Sequence, residues 1–174
     1  YNINYMNKKI LSTNVILGSI LLFSYYFVGT KKTTDIEALW GNIKGNTRKL
    51  YIVSILLATI SYIGMLYFIV FKVKNNILPL YKIHISQIIL ILASLIWVPL
   101  SISYLGNKNI FKRAGIIFTL FIVVSSALSI VTELLKIEYN GKDDLHTIAI
   151  VCGVYFLIHV FFLDFLGWSY IFFN

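Results

Sequence analysis

Long apolar runs separated by short polar segments dominate the pattern of this chain. Five of the runs have the length that an α-helix needs to cross a bilayer, about 17 to 25 residues. They cover residues 10–28, 50–71, 83–105, 114–135 and 147–173. Because a helix pairs its own backbone N–H and C=O groups, it is the natural structure for such runs in lipid. The pattern therefore predicts an all-α integral membrane protein, a single bundle of about five transmembrane helices.

A polar segment in the first loop departs from a plain linker. Residues 34–37 fit a capping box, in which a Thr hydroxyl and a Glu carboxylate each satisfy backbone donors at a helix start. A stripe at helical spacing follows, made of Ile36, Leu39, Trp40 and Ile43. We expect a short interfacial helix over about residues 34–44 with Trp40 as its anchor; the alternative is a turn packed over the bundle. The aromatic end of the fifth run predicts Trp168 as a second interfacial anchor.

The composition supports lipid as the solvent of this protein. Hydrophobic residues make up 59% of the 174 positions, charged residues make up 13%, and the mean hydropathy is +0.83. Soluble proteins are nearer about 25% charged. The net charge of +8 would suggest nucleic acid in a soluble protein, but here the basic residues flank apolar runs, where anionic headgroups account for them. We expect the lipid bilayer as a partner, no nucleic acid, and as further candidates other membrane subunits or a second copy of the chain.

The first apolar run is predicted to be a transmembrane span and not a signal peptide that is cleaved off. Met6 and two following lysines resemble a translation start with a basic segment, which would leave residues 1–5 upstream of it. The apolar run at 10–28 is longer than the core of a typical signal peptide, and no small-x-small cleavage site follows it. We therefore expect this run to be the first span.

The distribution of Lys and Arg leaves the orientation open. We call side A the membrane face of the N-terminal segment and of loops 72–82 and 136–146, and side B the face of loops 29–49 and 106–113 and of the C-terminus. Side A carries seven Lys and Arg residues and side B carries eight. The positive-inside rule therefore assigns neither side to the cytoplasm. Five spans predict that the two ends of the chain lie on opposite sides.

Asp164 is the clearest ionisable candidate inside a span, because a charge in hydrocarbon is costly. At α-helical spacing it shares a face with small residues that favour close helix packing, namely Ala149, Gly153, Val160 and Gly167. We expect a structural ion pair with Arg113 or Arg48; the alternative is a proton or cation site. His159 lies about 140° round an α-helix from Asp164, which predicts no adjacent pair and a neutral histidine bonded to a neighbouring helix.

The third span carries a polar stripe and a proline. His84, Gln87, Ser94 and Ser101 share one sector of the helix. Pro99 removes a backbone hydrogen bond and is expected to kink the helix on side B. A kink beside a polar stripe is one way to line a solute path, and it is also common in passive bundles.

Acidic residues gather at the side A surface. Glu133 closes the fourth span after Ser125 and Ser129, and the same surface carries Glu138, Asp143, Asp144, His146 and His84. The spacing matches no EF-hand loop, so we interpret these acids as a solvated rim and predict no metal site. Cys152 is interpreted as a small packing residue.

The sequence predicts no catalytic residue and no cofactor. Nucleophile-elbow, zinc-protease and Walker A signatures are absent. The chain is therefore interpreted first as a non-catalytic structural or accessory subunit that acts through intramembrane helix contacts. The alternatives are a small transporter or channel for a proton, cation or small solute, and a membrane-embedded ligand-binding protein or enzyme.

Overall fold

Five long helices form the part of the chain that the structure, a computed structural model, describes: residues 3–30, 36–41, 43–74, 77–139, 141 and 144–173. Their apolar stretches confirm the five predicted spans. The elements in chain order are α1 (Ile3–Thr30), α2 (Ile36–Leu39), α3 (Gly45–Phe71), α4 (Ile77–Gly106), α5 (Ile110–Leu135), α6 (Leu145–Ile158), a π-helix (His159–Trp168) and α7 (Ser169–Phe173). The spans are α1, α3, α4, α5 and the continuous run from α6 to α7. The described residues contain no strand.

Most of the helices start before their apolar runs do. The helix of the second span begins at Gly45, before the apolar run that starts at Leu50, and that of the third begins at Ile77, before Ile83. Helical backbone bonding therefore continues through the polar flanks of these runs. Hydropathy identified all five spans, and the helices themselves extend beyond the apolar runs.

The predicted helix in the first loop is shorter than expected. α2 ends at Leu39, a turn follows at Trp40 and Gly41, and residues 43–44 are not helical. Gly41 has φ +55°, and a Cβ there would lie 3.1 Å from the Cα of Phe172. This left-handed, closely packed glycine ends the helix, so a helix reaching residue 44 was wrong. The predicted capping-box residues 34 and 35 lie outside the described residues.

The spans pack in a closed ring. The largest contact is between the third and fourth spans. The ring continues from the fourth span to the fifth, from the fifth to the second, from the second to the first, and from the first back to the third. Each helix thus has two main neighbours, in the order first, third, fourth, fifth, second. The contact between the first and second spans is the smallest in the ring, and most of the first span's surface faces outward.

Two apolar clusters fill the inside of the ring to different extents. The larger one runs from side A toward the middle and includes the fully buried Ile10, Met65, Phe68, Leu80, Ile83 and Leu134. Small residues allow close contact there, because a Cβ at Gly153 would lie 3.2 Å from Val131 Cγ2. The smaller cluster lies at side B around Tyr51, Tyr104, Ile116, Leu120, Trp168 and Phe172. Open space remains between the two.

Candidate functional site

A cavity of about 460 Å³ lies inside the side B half of the ring. All five spans and the first loop contribute to its wall, which is mostly apolar and aromatic. The lining residues are Tyr25, Leu39, Trp40, Tyr51, Ile55, Ser94, Trp97, Val98, Ser101, Leu120, Val123, His159, Asp164 and Trp168. Among the described residues, the ionisable groups on this wall other than tyrosines are His159 and Asp164, and both come from the fifth span.

The π-helix brings those two groups together. His159 Nε2 lies 3.6 Å from Asp164 Oδ1, whereas α-helical spacing predicted that the two residues point away from each other. A π-helix is wound so that the backbone bonds from residue i to residue i+5, and His159 and Asp164 are five residues apart. The prediction of no adjacent pair was therefore wrong, because it assumed an uninterrupted α-helix.

His159 is fixed by a neighbouring span. Its Nδ1 lies 2.8 Å from Ser54 Oγ, and the same hydroxyl lies 3.2 Å from the Tyr155 hydroxyl. The imidazole is buried. Since one ring nitrogen contacts Ser54, the other is left facing Asp164. This contact matches the expected hydrogen bond between His159 and a neighbouring helix.

The expected arginine partners lie away from Asp164. The Arg113 guanidinium sits 4.7 Å from the centroid of the Phe173 ring, and that of Arg48 sits 4.8 Å from the Trp40 ring. Neither arginine comes within ion-pair distance of Asp164 in the described structure. Phe173 is nine residues beyond Asp164, roughly 14 Å along a helix. Each arginine therefore contacts an aromatic ring near a helix end, and the expected ion pair with Asp164 is not formed.

Aromatic side chains form the side B end of the cavity. The Trp97 and Trp168 rings meet edge to face at 4.9 Å, and Trp168 stacks on Phe172 at 4.2 Å. The Trp168 Nε1–H donates to the Leu39 carbonyl at 2.9 Å, which ties the first loop to the fifth span. Trp40 and Trp168, predicted as interfacial anchors, both line the cavity.

Tyr51 joins the second span to the π-helix. Its hydroxyl donates to the Leu163 carbonyl at 3.2 Å. A Cβ at Gly167 would collide with the Tyr51 hydroxyl and lie 3.0 Å from the Phe162 carbonyl oxygen. Glycine is therefore required at 167 for this close approach, and it helps to hold the π-helical segment against the wall.

The polar stripe of the third span is divided between two regions. Ser94 and Ser101 line the cavity, and each hydroxyl also bonds a carbonyl of its own helix. His84 and Gln87 lie outside the cavity, nearer side A. Pro99 lies inside a helix that continues to Gly106, and its predicted kink stays a prediction.

A buried polar network lies in the side A half of the bundle, between the first span and the second and third spans. Asn14 Nδ2 donates to Gln87 Oε1 at 3.0 Å and to the Ile10 carbonyl at 2.8 Å, and Tyr62 donates to Asn14 Oδ1. The Thr13 hydroxyl contacts His84 Nε2 at 3.0 Å. These bonds tie the first span to the second and third.

The carboxylate of Glu133 pairs with lysines at the side A end. Its Oε1 lies 2.7 Å from Lys136 Nζ and 3.5 Å from Lys82 Nζ. His146 contacts the Leu134 carbonyl at 3.0 Å. Among the described residues no group of three His, Cys, Asp or Glu side chains is arranged to hold a metal ion. Asp143 lies outside the described residues.

Sequence reasoning missed several cavity and network residues. Tyr51, Ser54 and Tyr62 belong to a seam of the second span that recurs at helical spacing, namely Tyr51, Ser54, Ala58, Tyr62 and Met65. That spacing is a usable signal for an inward face. Asn14 and Tyr25 belong to a similar seam of the first span, namely Met6, Ile10, Asn14, Leu17, Leu21 and Tyr25.

The fold and these contacts define a multi-pass α-helical membrane protein with an internal cavity in one half. No protein-family model, no curated protein and no solved structure matches this chain.

Proposed function

We propose that this protein binds a small, largely apolar molecule inside its side B half. The observation that carries the proposal is the cavity of about 460 Å³ lined by residues from all five spans. Small-molecule sites are concave, mostly apolar, and of about 300 to 1,000 Å³. The cavity has this size and this kind of wall, with a few polar groups at one place.

The make-up of the wall supports a binding role over a purely structural one. Most of its residues are apolar or aromatic, and Ser94, His159 and Asp164 bring polar groups to the same space. A few polar groups on a mostly apolar concave wall are typical of small-molecule sites.

The extent of the cavity favours binding over passage. The wall does not include His84 or Gln87, and the polar network at Asn14 separates the cavity from side A. A solute path would require the side A half to open. The roles of structural subunit and of transporter or channel stay predictions, which partner capture and flux measurements in liposomes would test.

Intrinsic fluorescence offers a direct test, because all three tryptophans of the chain line the cavity. The protein would be placed in phosphatidylcholine nanodiscs and titrated with bromonaphthylmethanol, a neutral probe whose bromine quenches tryptophan. We expect saturable quenching that unbrominated naphthylmethanol reverses by competition. Quenching that rises linearly and resists competition would overturn the proposal, since it would reflect partition into lipid.

Two serine variants localise the binding. Ser94→Phe places a ring in the cavity and should weaken binding by at least about tenfold. Ser125→Phe makes the same change on an exposed position of the fourth span and should bind as the unmodified protein does. Equal binding by both variants would place the probe outside the cavity.

A further inference from the structure

We infer that the ligand of this cavity carries a protonated amine that pairs with Asp164. The inference rests on the proposed binding function and adds the chemical class of the ligand. It starts from Asp164, which among the described residues is the carboxylate on a wall that is mostly apolar and aromatic.

The Asp164 carboxylate has unused capacity for a cationic partner. Its ion-pair contact within the described structure is with His159 at 3.6 Å, which is longer than a hydrogen bond. That histidine already contacts Ser54 through its other nitrogen. The Asp164 side chain is 35% exposed and lines the cavity, so it can accept hydrogen bonds from a molecule inside.

The free energy that a carboxylate loses in apolar surroundings indicates that the ligand is positively charged. A buried charge is tolerated when a partner of opposite charge and hydrogen bonds compensate it. A neutral apolar ligand would displace water and leave Asp164 less well solvated, and an anion would add repulsion. An ammonium group brings both the charge and up to three N–H donors.

The aromatic wall suits the same class of ligand. Trp97, Trp168 and Tyr51 surround the space beside Asp164. Aromatic faces attract cations electrostatically, and indole does so most strongly. They also pack well against an apolar body. An amphipathic amine thus matches both the carboxylate and the aromatic surface of the cavity, while Arg48 and Arg113 contact aromatic rings and not Asp164.

The test compares three probes of one shape: bromonaphthylmethylamine, bromonaphthylmethanol and bromonaphthoate. In zwitterionic nanodiscs at pH 7 we expect the amine to bind at least about tenfold more tightly than the alcohol, and the carboxylate to bind most weakly. Asp164→Asn should bind amine and alcohol alike. Glu133→Gln, which removes a carboxylate at side A, should keep the preference for the amine.

The outcomes separate this inference from the proposed function. Saturable binding of the alcohol with no preference for the amine overturns the inference and leaves the binding function intact. Failure of all three probes to bind saturably overturns both. Should Asp164→Asn fail to fold, the ranking of the three probes on the unmodified protein decides, because a carboxylate that binds as well as the amine contradicts the inference.

Discussion

The side A and side B halves of the bundle differ in what fills their interiors. The side A half is filled by fully buried residues such as Ile10, Met65 and Leu80, and its main polar groups, around Asn14, bond one another. The side B half holds larger rings, which enclose a cavity, and its carboxylate at Asp164 faces that space. The difference indicates that the apolar interior is more closely packed in the side A half, and the ligand that we propose would lie in the side B half.

The comparison also separates two uses of polar residues in lipid. Asn14 and Tyr62 link three spans by hydrogen bonds, so removing one partner strands the others. His159 and Asp164 lie on one helix and leave part of their bonding capacity open. Intramembrane polarity alone therefore does not identify a site, and neither does one unmet partner, since the buried Gln87 Nε2 of the side A network has none among the described residues.

The largest effect is expected from Asn14→Leu. The change leaves Gln87 Oε1 and the Tyr62 hydroxyl without this partner, and each stranded buried polar group costs about 1–3 kcal/mol. We expect the free energy of unfolding to fall by about 2–4 kcal/mol, measured by denaturant titration in detergent. Ser19→Leu, at an exposed position of the same helix, is the control. Equal stability of the two variants would show that apolar packing alone stabilises side A.

A smaller loss is expected from Gly167→Ala. The added methyl meets Tyr51 and a backbone carbonyl, and such overpacking costs about 1–3 kcal/mol. Gly18→Ala, where a Cβ would meet nothing within 4 Å, should cause no loss. Adding Tyr51→Phe to Gly167→Ala should recover part of the stability, because the colliding hydroxyl is gone. Full stability of the single variant would contradict the close packing of the π-helix.

The smallest effect tests the cavity itself. Ser94→Leu adds volume where the wall borders open space, so we expect the free energy of unfolding to change by less than about 1 kcal/mol. Ala127→Leu adds volume in the filled core, where Ala127 is buried, and should cost about 1–3 kcal/mol. A loss as large at Ser94 as at Ala127 would mean that both halves are equally packed.

The spans were predictable from sequence because lipid imposes a single strong rule on length and polarity. The roles of Asp164 and His159 were predictable only in part. Each is an ionisable side chain inside a membrane span, where burial is costly, and this made both residues candidates. Which groups meet depends on the winding of the helix, and no periodicity in residues 147–173 predicted a π-helix. The partners of Arg113 were missed for another reason: depth within a leaflet decides which charges meet, and helix ends are poorly defined by hydropathy.

The π-helix has a further consequence for the fifth span. A wider turn accommodates more residues over the same rise, so the position of Trp168 depends on how many residues lie between it and His159, as well as on which residues they are. Deleting one apolar residue there, such as Phe162, would let the segment return to an α-helix with His159 and Asp164 at i and i+4, where side chains still lie on one face. Inserting one residue between them would instead separate the pair and would shift Trp168 relative to the Leu39 carbonyl. In this segment an apolar insertion would therefore be more damaging than an apolar deletion, although either chain would still be apolar enough to cross the membrane.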